Sequence, residues 1–182
     1  MNKQNNSLLI LAALMILAAA CARLFVYPPI IAMAIFGGAV IKDKRLALIL
    51  PLVAMFLSDV MFELFTSTRG FYGWEQLAQY GIFALITCLG FLMKRINVVN
   101  VLGFSIAGSL AFYFLSNSAS FLFDTYNAYT HDFNGYFTCM KAGIPFIKVP
   151  LISDLAYSCI LFGSYYFIET KVFSKPAVER SK

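Results

Sequence analysis

Asp59 and Glu63 stand in the run Leu46 to Phe65, LALILPLVAMFLSDVMFELF, where apolar side chains otherwise dominate. A carboxylate facing lipid at that depth costs about 3 kcal/mol, so it needs a polar neighbour. At i and i+4 the two acids share one helical face, and that face is expected to look into a helix bundle or a water-filled cavity. Two uses compete: binding of a solute or ion, or a protonated or paired acid that ties helices together.

Asp154 is a second intramembrane acid, set in an apolar segment whose Pro145 and Pro150 disturb its early turns and free backbone carbonyls. Two buried acids raise each other's proton affinity unless a cation is supplied. Arg23, near the outer end of the first apolar segment, is the candidate cation, with snorkelling to the outer headgroups as its alternative use. Asn117, flanked by Ser116 and Ser118, adds hydrogen-bonding groups that face a ligand or join helices. Arg23, Asp59, Glu63, Asn117 and Asp154 are therefore the candidate substrate-binding residues.

Nothing in the chain points to an enzyme. There is no Ser-His-Asp set, no phosphate-cradling glycine loop and no HExxH, and His131 stands alone in a polar stretch. Cys21, Cys88, Cys139 and Cys159 are scattered without a C-x-x-C, so no metal site or cofactor is expected.

The elements that must position these groups follow from the solvent. Of 182 residues 60% are hydrophobic and only 13% charged, against about a quarter charged in a soluble domain. The expectation is an all-α integral membrane bundle of six transmembrane helices forming a single domain, residues 1–182. The apolar segments are Ser7 to Val26, Pro29 to Ile41, Leu46 to Phe65, Glu75 to Met93, Val98 to Phe123 and Gly143 to Phe167, with a solvated tail over 174–182. Most reach the roughly 20 residues needed to cross. Pro29 to Ile41 does not, so it must be tilted into protein, extended by Lys42–Arg45, or partly re-entrant and shielded from lipid. Gly37 and Gly38 within it read as a tight helix contact.

Six spans with the amino end inside put ten of the fourteen basic residues on the inner face, leaving Arg23, Arg69, Lys141 and Lys148 outside. The positive-inside rule thus places both termini in the cytoplasm of a multi-pass inner-membrane protein. The net charge of +5 reports topology; the basic residues are too scattered for nucleic acid. The longer, polar connections, around 66–76 and 124–141, fall outside and are the expected lids over a pocket. The first helix carries a small-residue surface including Ala18 and Ala22, suited to close helix packing or to docking a partner.

The blocks RLFVYPP, AMAIFGGA, PLVAMFLSD, GSLAFYF, CMKAGIPF and SDLAYSCILFG resemble a small bacterial family of uncharacterised six-helix membrane proteins described as transport proteins. That family is similar to the substrate-binding S components of energy-coupling factor (ECF) transporters. The resemblance covers about Arg23 to Phe167. It implies a six-helix bundle with a solute pocket open to the outside, and an alanine-rich first helix, Ala18 and Ala22 included, packing on a membrane coupling subunit that works with ATPases. It points to Arg23, Asp59, Asn117 and Asp154 as pocket groups. Around the prolines after the first helix, where the family pattern has a His and an Asn-Phe pair, this chain has Tyr27 to Ile31. The chain begins Met-Asn, unlike nickel or cobalt S components with their amino-terminal His, so a vitamin-like organic solute is expected over a bare metal ion. The rival readings are an ion-coupled carrier using Asp59, Glu63 and Asp154, and a non-transport scaffold.

Overall fold

The computed structural model describes residues 3–22, 29–67, 69–71, 73–124 and 127–170, and within the first helix the side chains of Leu9 to Ala18. It is all helical: α1 (Lys3–Ala22), α2 (Ile30–Val40), α3 (Lys44–Phe65), α4 (Trp74–Gly90), α5 (Val98–Phe123) and α6 (Phe133–Ile168). Three of them, α3, α5 and α6, are long and apolar enough to cross a membrane.

The bundle is built around its shortest member. At 11 residues, α2 reaches only about 16 Å, yet it packs against all five other helices. Its residues Ala32, Met33, Ala34, Ile35 and Phe36 are wholly inaccessible. A helix apolar on every side is stable only when wrapped. In a membrane, where lipid is as apolar as these side chains, such wrapping rests on close van der Waals packing more than on the hydrophobic effect. The glycines make that packing possible. A Cβ on Gly38 would stand 2.2 Å from the Thr87 carbonyl oxygen and 3.0 Å from the Gly90 Cα, and one on Gly90 would stand 2.7 Å from the Ile35 oxygen, so α2 and α4 touch backbone to backbone. A Cβ on Gly37 would meet Pro51 of α3 at 2.7 Å. Toward α6, the Phe36 ring packs in T-shaped contacts with Phe162 and Tyr165, ring centroids 5.2 and 5.8 Å apart.

The sixth helix departs from the sequence expectation. It begins at Phe133, ten residues before Gly143, and runs 36 residues through both prolines. Asp132 starts it by accepting the Gly135 amide at 2.8 Å, a side-chain N-cap that fixes the first turn. Pro145 removes the helical partner of the Lys141 carbonyl; one residue earlier, the Met140 carbonyl accepts the Tyr113 hydroxyl of α5 at 2.5 Å. Much of the stretch expected as a second lid is therefore helix, and the connection shrinks to 124–132. Helix α4 ends at Gly90, three residues before Met93.

Candidate functional site

Every helix leaves its first N–H groups without intrahelical partners, and α3, α5 and α6 solve this with their own sequence. Asp43 accepts from the Arg45 and Leu46 amides, Asn97 from Asn100 and Asp132 from Gly135. Helix α2 cannot, because Pro29 holds its N-cap position with no side-chain acceptor. The acceptor comes from α6. Oδ1 of Asp154 takes the Ile31 and Ala32 amides at 3.2 Å each, the same second and third helical positions that a local N-cap Asp would serve. The positive end of the α2 dipole faces the carboxylate and offsets part of its charge.

The second oxygen of Asp154 is less committed. Oδ2 receives the Ser109 hydroxyl at 3.4 Å, long for an O–H···O bond, and a carboxylate offers about four acceptor positions. Above the truncated end of α2, Asp154 borders a cavity of about 340 Å3 between α5 and α6. Ile30, Ile31, Phe112, Phe146, Ile147 and Pro150 give it apolar walls, and Ser109, Tyr113, Ser116, Asn117 and Asp154 supply its polar points. An apolar hollow with a few convergent polar groups at the short end of the usual ligand-pocket range suits a small organic molecule. The Asn117 amide donates to the Tyr113 carbonyl at 2.7 Å, and its oxygen lies so close to Gly143 that a Cβ there would approach it to 2.3 Å.

These groups belong to a polar seam. On α5, Ser105, Ser109, Tyr113 and Asn117 recur every four residues and so share a face; they meet Ser158, Asp154, the Met140 carbonyl and Gly143 of α6. The Ser105 to Ser158 hydroxyl bond is 2.7 Å and buried. Asn117 and Asp154, singled out from the sequence, lie on this seam; Ser105, Ser109 and Tyr113 were not, although the four-residue step along α5 was a signal for them, and Ser158 stands one such step after Asp154 on α6.

Asp59 and Glu63 are brought together elsewhere. Asp59 is 2% exposed, and its Oδ2 accepts the Gln76 amide at 2.9 Å and the Tyr80 hydroxyl at 2.5 Å, both from α4. Glu63 accepts the Gly70 amide at 2.8 Å, while the Gly70 carbonyl accepts from Gln76 at 2.8 Å. A Cβ on Gly70 would stand 1.9 Å from the Asp59 carbonyl oxygen. The shared face of the i and i+4 acids thus clamps the α3–α4 connection onto α3 and α4, and neither acid lines the cavity. Arg23 lies outside the described residues, as does the side chain of Ala22. Ala18 is exposed on α1, whereas Ala12 and Ile16, 1% exposed, pack inward. Among the described residues no three His, Cys, Asp or Glu side chains assemble into a metal site.

A six-helix all-α bundle with three helices long and apolar enough to cross, and polar side chains paired inside its apolar packing, is consistent with an integral membrane protein. The chain belongs to a family of unknown function, DUF6580, whose model matches residues 2–178. No curated protein and no solved structure matches it.

Proposed function

We propose that this protein is a six-span inner-membrane protein of bacterial type that captures a small organic solute from the outer side, in the manner of an ECF S component. The observation that carries the reading is the cavity on the α2 N-terminus, where Asp154 keeps acceptor capacity on Oδ2 inside apolar walls. A solute with an apolar body and one hydrogen-bond-donating group, such as an amine or hydroxyl, fits that chemistry. The cavity lies along α5 away from Lys94 and Arg95, so with the basic end and both termini in the cytoplasm it opens toward the outside. Energy for release would come from a membrane coupling subunit with ATPases docked along the exposed α1 surface that includes Ala18.

The test is mass spectrometry of small molecules that travel with the detergent-purified protein, comparing wild type, Ser116→Phe, which fills the cavity, and Asp59→Asn. A compound kept by wild type and Asp59→Asn but lost from Ser116→Phe supports the cavity as the site. Loss from Asp59→Asn alone would move the site to the Asp59 cluster. A compound retained by none of the three would favour the scaffold reading, to which the interhelical bonds already made by Asp59 and Asp154 also lend support. Uptake by the protein alone in liposomes under an imposed ion gradient would instead mark an ion-coupled carrier.

A further inference from the structure

Beyond the Ser105–Ser158 pair, toward the first turn of α5 and the last turns of α6, the two helices part around a second recess of about 440 Å3. Val101 and Phe162, 5% and 3% exposed, form its floor, and Val98, Leu102, Cys159 and Tyr166 its walls. Gly163 helps to make the hollow, since nothing lies within 4 Å of where its Cβ would sit. Both helices are long and apolar enough to be spans, so a recess on their outer surface opens onto lipid, where its apolar walls match hydrocarbon.

The rim of the recess is the turn that carries cations. Ile96 and Asn97 border it, directly after the exposed Lys94 and Arg95. The turn is held in place by local bonds: the Asn100 side-chain amide donates to the Arg95 carbonyl at 2.8 Å, and Asn97 accepts the Asn100 backbone amide at 2.8 Å. Lys44 sits 4.2 Å over the Phe91 ring and brings a further cation to the same end. Of the acids at this end, Asp43 is engaged with the Arg45 and Leu46 amides, and Glu169 lies at the end of α6. Positive charge prevails where a phospholipid headgroup would lie, directly beside an apolar slot.

We propose that this recess holds one acyl chain of an anionic phospholipid, with the phosphate drawn to Lys94 and Arg95. The geometry separates it from bulk lipid contact in two ways. The slot is a concavity with a buried floor, and the cations select a headgroup by charge, as basic pockets between membrane helices do. This site is independent of the solute cavity and of any transport reading.

The experiment adds phosphatidylglycerol or phosphatidylcholine of identical chains to the full-length, delipidated protein in mild detergent and counts bound lipid by native mass spectrometry. Wild type is expected to retain at least fivefold more phosphatidylglycerol than phosphatidylcholine. In Lys94→Ala/Arg95→Ala that preference should fall to near unity, and in Gly163→Leu, which fills the slot, retention of both lipids should drop. Equal retention of the two lipids by wild type, which marks annular lipid only, would overturn the proposal. So would a phosphatidylglycerol preference that survives in Lys94→Ala/Arg95→Ala. Those two side chains are exposed and outside the core, so this variant decides the matter even if Gly163→Leu fails to fold.

Discussion

Asp154 and Ile31 stand 123 positions apart in the chain and meet through a 3.2 Å hydrogen bond that, with its twin to Ala32, caps the central helix from outside its own sequence. A buried carboxylate that completes a helix terminus is both a structural part and, through its second oxygen, an available acceptor beside the cavity.

That double duty makes the Asp154 variants separable. Asp154→Ala strands two amides of α2 and is expected to cost about 3 kcal/mol. Asp154→Asn keeps an acceptor and should cost about 1 kcal/mol. Thermal melting in detergent should rank wild type above Asn and Asn above Ala; identical melting of all three would mean that the α2 terminus finds other partners.

The crossing of α2 with α4 sets a steric test. Gly38→Ala and Gly90→Ala each push a methyl into facing backbone and should destabilise by about 1–3 kcal/mol. Gly81 and Gly103 have open space where a Cβ would sit, and alanine there should leave the melting temperature unchanged or slightly raised, because glycine weakens a helix interior.

At the α3–α4 clamp, Tyr80→Phe removes one donor to Asp59 and Gln76→Leu removes another together with the bond to Gly70. Each should cost about 1–2 kcal/mol. The double variant should cost measurably more or less than their sum, because both donors share one oxygen. Strict additivity in a double-mutant cycle would count against a shared network.

The 124–132 connection should respond to acid. The Ala128 and Tyr129 amides hold the Asp124 carboxyl below its ordinary value, and the Gly135 amide and Thr130 hydroxyl do the same for Asp132. A carboxyl whose folded pKa is depressed stabilises the fold fully above its unfolded pKa, about 4, and loses that contribution as pH falls through the lower folded value. Amide exchange over 127–136, corrected for intrinsic rate, should therefore accelerate below pH 4. Asp132→Asn should exchange with less dependence on pH across that window, while retaining a cap.

Composition and apolar run length are local quantities, so the helical class, the apolar segments suited to lipid and the acids Asp59 and Asp154 within them were legible without coordinates. The N-cap at Asp132 is also written locally, but apolar run length marks only Gly143 to Phe167, because the first ten residues of α6 are too polar to register as a span. Asp59 and Glu63 were correctly placed on one face, since helical spacing is a local property. Tertiary structure alone decided what that face meets, namely Gln76, Tyr80 and Gly70, and separated it from Asn117 and Asp154 at the cavity. It also decided that the shortest apolar segment is the centre of the bundle. A helix that cannot cap itself, because Pro29 stands where an acceptor is needed, takes its cap from whichever helix packs beside it, and no local spacing records which one that is.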